Sequence, residues 1–166
     1  MTMRKHSFPP VVDPEIRLLV LGSLPGERSL AERRYYAHPQ NQFWRLISSA
    51  AGCDLTALPY EERLSALLAA HIGLWDVVAS ATRTGSSDAT IRDIEGHDIA
   101  ALAATLPHLR AIAFNGGTAL RQGLRQMGPT AERYTIVALP SSSPLHTVGL
   151  AAKLPAWEAL GVYLSG

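Results

Sequence analysis

Residues 16–26, IRLLVLGSLPG, are an apolar run of strand length that ends in a turn built from two glycines and a proline. Three further runs of the same kind follow: GLWDVV at 73–78, LRAIAF at 109–114 and YTIVAL at 134–139. All four are too apolar to alternate between buried and exposed positions. They therefore predict strands that are covered on both faces, which is typical of a parallel sheet between helices.

Helical periodicity fills the segments between these runs. Apolar residues recur there at three- and four-residue spacing, which places them on one face of a helix. Asp98 is a typical N-cap for the second of these helices. In the last apolar segment, Pro155 predicts that the final helix begins only at Trp157, since proline interrupts a helix. The first three predicted helices cover residues 61–70, 98–106 and 118–127.

Strands that alternate with helices predict an open α/β sheet. We expect residues 1–166 to form a single domain, a three-layer α/β/α sandwich around a central, mainly parallel four-stranded sheet. In such sheets a ligand lies outside the carboxyl ends of the strands. The candidate loops cover residues 22–44, 79–97, 115–118 and 140–147.

Composition excludes several classes of protein. Hydrophobic residues make up 47% of the chain and charged residues 17%, a balance that excludes a disordered chain. A net charge of +1 excludes a polycation that coats nucleic acid but leaves a local basic patch possible. The single cysteine, Cys53, excludes a disulfide framework and a four-thiolate metal site. We expect a cytoplasmic protein without a metal, a cofactor or a membrane span, because no metal-ligand spacing, signal peptide or long apolar helix is present.

The loop after the first strand combines the glycine-rich turn GSLPG, 22–26, with the string YYAHPQNQFW, 35–44. The turn lets another molecule approach the backbone, although a glycine here often serves packing alone. The string is unusual for a plain connection, and it leaves Tyr36 and Asn41 as candidates over a pocket. The core positions of the helix that follows are Phe43, Trp44 and Ile47.

The loop after the fourth strand, PSSSPLH at 140–146, has three serines between two prolines. Small hydroxyls and open backbone N–H groups suit phosphate oxygens. Leu145 has the shape of a wedge that inserts between bases. His146 either contacts a phosphate or a base, or is a solvated loop residue. The alternative for the whole loop is a capping turn before the terminal helix.

The polar segment ATRTGSSD, 81–88, follows the second strand and has two interpretations. In the first, Arg83 contacts a DNA backbone and Ser87 or Asp88 faces the pocket. In the second, the segment is an Asx-type turn that opens a short helix. A local basic cluster lies nearer the first motif, at Arg28, Arg33 and Arg34.

These loops resemble those of the uracil-DNA glycosylase superfamily, especially its mismatch-specific and hypoxanthine-removing branches. The shared patterns are Gly-x-x-Pro-Gly at 22–26 and His-Pro-x-Asn-x-Phe-Trp at 38–44. LPSSS at 139–143 is similar to the second motif of the thymine-DNA glycosylase branch, in which FNG, here 114–116, also recurs. The similarity keeps the same order from about residue 16 to about 160, and the second pattern is the most specific.

One position departs from the family pattern. Many members carry Asp or Asn third in the first motif, where it positions or activates the attacking water. Leu24 stands there in this chain, and leucine can neither accept a proton nor hold a water. The chain therefore resembles the hypoxanthine branch, in which a later asparagine, here Asn41, takes the catalytic part. The lone Cys53 excludes the iron–sulfur branches.

The resemblance implies an enzyme that flips a deaminated base, hypoxanthine first, out of double-stranded DNA and hydrolyses its N-glycosidic bond. We expect a monomer, the default for a small enzyme that must wrap a duplex. Tyr36 would stack on the base, and the Asn115 amide would contact the base edge. The implied catalytic residue is Asn41; the implied pocket residues are Gly22, Ser23, Leu24, Tyr36 and Asn115; the implied DNA contacts are Pro25, Gly26, Ser141, Ser142, Ser143, Leu145 and His146.

Three alternatives stay open. A mismatch-specific uracil or thymine glycosylase would use the same residues, although Leu24 disfavours it. A serine hydrolase would pair Ser142 or Ser143 with His146, but the chain has no Gly-x-Ser-x-Gly string. A non-catalytic nucleotide-binding module would use residues 22–26, which lack both the Gly-x-Gly-x-x-Gly spacing and the P-loop lysine.

Overall fold

The computed structural model describes residues 4–146 and 148–165, which form two β-sheets and six α-helices. The strands are β1 (Arg4–His6), β2 (Leu18–Gly22), β3 (Ile72–Asp76), β4 (Val78–Thr82), β5 (Arg92–Gly96), β6 (Ala111–Asn115) and β7 (Thr135–Leu139). The helices are α1 (Glu27–Glu32), α2 (Phe43–Ala51), α3 (Tyr60–Ala69), α4 (Ile99–Ala104), α5 (Gly117–Met127) and α6 (Leu150–Glu158).

The main sheet confirms the four predicted strands. It is parallel throughout, in the order β3-β2-β6-β7, and each strand lies within two residues of its predicted bounds. Gly22 pairs with Asp76 across β2 and β3, and Asn115 pairs with Leu139 across β6 and β7. The last residues of all four strands therefore lie along one edge, at their carboxyl ends.

Helices cover both faces of this sheet, which confirms the predicted three-layer α/β/α architecture. On one face, Val20 lies in a core with Phe43 of α2 and Trp157 of α6. On the other face, Leu21 lies in a core with Met127 of α5. All five residues of β2 are buried, because successive side chains enter opposite cores.

A second sheet was not predicted. The run at 73–78 is divided: β3 ends at Asp76, and β4 begins at Val78 and pairs antiparallel with β1 and β5. Val77 N donates to Gly22 O at 2.7 Å, and Val78 N donates to Ser23 O at 3.0 Å, so the chain turns while it stays bonded to the loop after β2. The apolar pattern missed β5 because most of its residues are exposed.

The predicted helices are confirmed, except for the start of the last one. Asp98 caps α4 by accepting a hydrogen bond from Ala101 N at 3.0 Å. The predicted start at Trp157 is wrong, since α6 begins at Leu150 and contains Pro155. Tertiary anchoring outweighs the missing backbone hydrogen bond: Trp157 is fully buried and donates to Pro140 O at 3.0 Å. Within the described ranges, no helix combines the length and the hydropathy that crossing a bilayer demands.

The contact between α5 and β6 gives a test of the packing. A Cβ at Gly123 would lie 2.1 Å from the Phe114 ring, which is fully buried. Alanine normally stabilises a helix relative to glycine by about 1 kcal/mol. Because of the overlap, we expect Gly123→Ala to lower the free energy of unfolding by about 1–3 kcal/mol in urea titrations.

Gly117→Ala in the same helix is the control for this substitution. Its Cβ would meet only the flexible Arg121 guanidinium, at 3.1 Å, so we expect no loss of stability. Equal stabilities of the two variants would contradict the described packing of Phe114.

Candidate functional site

A cavity of about 190 Å³ opens at the carboxyl edge of the main sheet. The turn that carries Tyr36 and Asn41 and the serine turn after β7 both line it, and Gln42 N donates to Ser142 O at 3.0 Å between them. The pocket that the sequence predicted beside Tyr36 and Asn41 is therefore present. Of the thirteen residues predicted for the site, all but His146 line the cavity.

Tyr36 has a strained backbone and a well-supported side chain. Its φ of +54° lies in the left-handed region, which costs a residue other than glycine about 1 kcal/mol or more. The ring stacks on Phe43 with centroids 3.8 Å apart and an interplanar angle of 11°. Tyr36 Oη accepts a hydrogen bond from Asn115 Nδ2 at 3.3 Å. With one face of the ring against Phe43, only the opposite face remains for a ligand.

Position 22 requires glycine because two polar side chains lie close to its backbone. A Cβ on Gly22 would lie 2.7 Å from Asp76 Oδ1 and 2.9 Å from Tyr36 Oη. Both distances are shorter than real Cβ contacts allow, so any side chain here would displace the groups on the cavity floor. The first glycine of the Gly-x-x-Pro-Gly turn thus gives room to two polar side chains.

Asn115 connects β6 to the turn after β7. Its Nδ2 donates to Ser142 Oγ at 2.9 Å, and its Oδ1 accepts from Ser142 N at 2.9 Å. Because Nδ2 also reaches Tyr36, both amide N–H groups are engaged within the protein rather than free for a base edge. Ser142 is 1% exposed, which corrects the expectation that its hydroxyl contacts phosphate: here it positions the turn.

The serine turn is shaped by its own hydroxyls and presents Leu145 to solvent. Ser141 Oγ accepts from Ser143 N, and Ser143 Oγ accepts from Leu145 N, both at 3.1 Å. Leu145 is 61% exposed at the cavity rim, an unusual place for a large apolar side chain. His146 lies behind the turn, with its backbone N donating to Ser143 O.

The two polar atoms of the Asn41 side chain differ in their hydrogen bonding. Its Oδ1 accepts from Phe43 N at 2.9 Å at the start of α2. Its Nδ2 makes no hydrogen bond to the residues that the structure describes, although Asn41 lines the cavity. The side chain is therefore held by its oxygen, while the N–H₂ group is left for a ligand.

Asp76 is a site residue that the sequence reasoning missed. It lines the cavity at 3% exposure, and its Oδ2 has no hydrogen-bond partner among the described residues. Burial, reinforced by the charge of Asp88, raises the pKa of Asp76 to about 7. The signal in the sequence was an aspartate inside an otherwise apolar run, at the position where the strand ends.

The segment after β4 carries a buried arginine. Arg83 is 2% exposed and donates to Leu24 O at 3.1 Å, to Pro25 O and to Gly85 O at 2.9 Å. The interpretation that Arg83 contacts a DNA backbone is wrong, because its guanidinium holds the glycine-rich turn from inside. Leu24 itself packs against Val78 in a small core beneath the second sheet.

Asp88 joins the same network and reaches the cavity. Its Oδ2 accepts from Ser23 Oγ at 2.5 Å, and its Oδ1 lies 3.5 Å from Arg83 Nη1. Each interpretation of the segment holds only in part. Asp88 lines the cavity, and the short 3-10 helix Asp88–Thr90 is present, but no side chain of the described residues caps that helix. Burial raises the pKa of Asp88, whereas the Ser23 hydroxyl and Arg83 act in the opposite direction. No group of three or more His, Cys, Asp or Glu side chains within 4–146 and 148–165 could hold a metal ion.

Comparisons with known proteins agree with this geometry. A family model described as the uracil DNA glycosylase superfamily matches residues 9–161. The chain is 40% identical over 157 residues to a hypoxanthine DNA glycosylase of Methanosarcina barkeri, which covers 93% of this chain and 96% of that protein. It is also 40% identical over 160 residues to a hypoxanthine DNA glycosylase of Methanosarcina acetivorans, and that match covers 95% of this chain and 98% of that protein. The solution NMR structure of a possible uracil DNA glycosylase from Methanosarcina acetivorans matches with a TM-score of 0.84 at 40% identity, over 98% of this chain and 99% of that one.

The buried Asp76 carboxyl predicts a pH-dependent stability. The pKa is about 7 in the folded protein and 3.8 ordinarily, so between these values the folded state binds the proton more tightly. The stabilisation is complete below about pH 4 and is lost as the pH rises through 7. We expect Asp76→Asn to be more stable than wild type by about 1–3 kcal/mol at pH 8, with a difference that shrinks towards pH 5.

Urea unfolding at several pH values measures this difference. Asp93→Asn removes an equal charge from an exposed position, where no burial cost is relieved, and serves as the control. A constant difference for Asp76→Asn would contradict the raised pKa.

Proposed function

The chain belongs to the uracil DNA glycosylase superfamily, and from this premise we propose that it removes hypoxanthine from double-stranded DNA by hydrolysing the N-glycosidic bond. The cavity between the Asn41 turn and the Ser141–Leu145 turn is the observation that carries the proposal. Both curated relatives are named for this base. Because a base inside a duplex cannot reach such a cavity, the nucleotide must be flipped out of the stack.

The cavity suits a single heterocycle. An apolar cavity of about 150 Å³ takes up benzene, so about 190 Å³ matches a flipped base and little more. The free face of Tyr36 offers a stacking surface worth about 1–3 kcal/mol. Gly22 keeps the floor open, and the Asp76 carboxyl lies there. That carboxyl supplies an acceptor for the ring N–H, which hypoxanthine and uracil carry and adenine lacks.

The rim of the cavity contacts the duplex. Leu145 is exposed at the rim, and its side chain fills the gap that the flipped nucleotide leaves in the stack. Gly26, Ser141 and Ser143 line the same cavity. In this proposal they contact the flanking phosphates. The exposed arginines 28, 33 and 34 supply local attraction that a net charge of +1 does not. The enzyme acts as a monomer in the cytoplasm, without a cofactor.

Catalysis relies on Asn41. The C1′–N9 bond breaks with positive charge on the sugar and negative charge on the departing base. The available Asn41 N–H₂ group stabilises that negative charge or orients the water, and one preorganised donor contributes about 3–4 kcal/mol. Leu24 cannot share this work because it is buried and apolar.

Removing the Asn41 amide tests this assignment. We expect Asn41→Ala to lower the single-turnover rate on a hypoxanthine duplex by about 10²–10³-fold while its affinity for a duplex with an abasic-site analogue stays near wild type. The exposed neighbour Gln40 provides the control, as Gln40→Ala keeps the wild-type rate. An undiminished rate in Asn41→Ala would remove Asn41 from the mechanism.

A panel of duplexes with hypoxanthine, uracil, xanthine or thymine tests the substrate with the wild-type protein. Faster cleavage of uracil or thymine mismatches than of hypoxanthine would favour the mismatch-specific alternative.

The wedge role of Leu145 predicts a loss that depends on base pairing. We expect Leu145→Ala to cleave duplex substrate about tenfold more slowly, because the flipped state loses the side chain that fills the stack. On single-stranded DNA the variant equals wild type, since no stack is interrupted. Val162→Ala truncates another apolar residue, 69% exposed, and leaves both rates unchanged. Equal losses on both substrates would show that Leu145 is not a wedge.

A further inference from the structure

Hydrolysis in the cavity calls for a group that accepts a proton from the attacking water, and the Leu24 side chain cannot do so. The described residues that line the cavity offer four carboxyl or imidazole side chains: Glu27, His38, Asp76 and Asp88. Glu27 pairs with Lys5, and His38 Nδ1 already accepts from Gln40 N at 3.1 Å. The Asp76 carboxyl is 3% exposed and lies on the closed floor. Asp88 combines access to solvent, with its side chain 39% exposed, with free acceptor positions and a hydrogen bond to Ser23 of the glycine-rich turn.

Two sets of bonds fix the position of Asp88. Thr90 Oγ1 accepts from Thr84 N at 3.0 Å and donates to Ser87 O at 2.7 Å, which closes the loop that carries Asp88. Arg83, at the base of this loop, donates to the carbonyls of the turn after β2. The loop and the turn are therefore one rigid unit, as a catalytic group requires.

The immediate partners of Asp88 leave acceptor capacity. Ser23 occupies one position on Oδ2, and the contact of Oδ1 with Arg83, at 3.5 Å, is long for a hydrogen bond. An ionised carboxylate has about four acceptor positions, so both oxygens can still accept from a water. The charged and titratable groups that face Asp88 are Arg83, Asp76 and Tyr36.

We propose that Asp88 is a second catalytic residue of this site, whose carboxylate holds the attacking water and accepts its proton. The assignment rests on the proposed glycosylase function. The water oxygen bonds to C1′ as the C1′–N9 bond breaks, and the electron pair of that bond leaves with the purine. One water proton passes to Asp88, which later returns it to solvent, and the purine anion takes a proton from solvent. The sum is the addition of one water across the glycosidic bond.

The competing explanation is that Asp88 only pairs with Arg83 and Ser23. Asp88→Asn separates the two, because asparagine keeps the size and an acceptor oxygen but loses the charge and the basicity. Asp93→Asn removes the same charge from an exposed position outside the cavity and is the matched control. Ser23→Ala removes the hydroxyl that lowers the pKa of Asp88. It therefore changes the ionisation of the Asp88 carboxyl while the aspartate itself stays in place.

Single-turnover rates between pH 5 and pH 9 on a hypoxanthine duplex form the experiment. We expect wild type and Asp93→Asn to lose rate as Asp88 is protonated at low pH. This loss of rate is the acidic limb of the pH profile. Asp88→Asn is about 10²–10³-fold slower at pH 7 and lacks the limb, while its affinity for an abasic-analogue duplex stays near wild type. In Ser23→Ala the limb moves to higher pH, because the carboxyl loses a hydrogen bond that favours its charged form.

Three results would overturn the assignment. They are an Asp88→Asn rate within threefold of wild type, a loss of rate matched by a loss of thermal stability and DNA affinity, or an unmoved limb in Ser23→Ala. The last of these decides the matter even where Asp88→Asn does not fold.

The same assay separates this inference from the proposed function. Wild type that cleaves uracil or xanthine instead of hypoxanthine overturns the proposed substrate, and the ratio of variant to wild type on that base still tests Asp88. Wild type that is inert on every duplex overturns both proposals.

Discussion

A single side-chain amide holds the site together. Asn115, the last residue of β6, bonds twice to Ser142 and once to the Tyr36 hydroxyl. These bonds connect the turn after β7 and the loop after β2 to the strand that lies between β2 and β7. Such a network is strong when complete and costly when one partner is missing, since its groups are removed from water. The relative placement of the two loops that border the cavity therefore depends on the amide at the end of β6.

The surroundings of that network show that the site costs stability. Tyr36 adopts a left-handed backbone, and Asp76 is buried with an oxygen that has no partner among the described residues. Each feature costs about 1–3 kcal/mol in a fold whose total stability is about 5–15 kcal/mol. The two apolar cores on the faces of the main sheet offset this cost, so the binding edge can remain polar and open. Strain and unsatisfied groups of this kind are concentrated where proteins bind ligands.

The sequence predicted the parts of the fold that follow from buried periodicity, and it missed the parts that follow from tertiary contacts. The four parallel strands are uniformly apolar, so their pattern was enough. The strands β1 and β5 are short and half exposed, and α6 continues through Pro155 only because Trp157 is anchored. At the site, motifs identified the two turns. They could not show that the Ser142 and Arg83 side chains are buried, or that Asp76 pairs with Gly22 at the ends of neighbouring strands. These facts depend on contacts and register between segments distant in sequence.

The two aspartates of the cavity illustrate why residue type alone does not assign a role. Asp76 is enclosed, and burial keeps its carboxyl partly protonated near pH 7. Asp88 is partly exposed; burial raises the pKa of its carboxyl, and Ser23 and Arg83 oppose that shift. The charge of Asp88 adds to the effect of burial in raising the pKa of Asp76. The two carboxyl groups of one pocket thus have different surroundings. Enzymes use such differences in surroundings to give two carboxyl groups of one site separate roles.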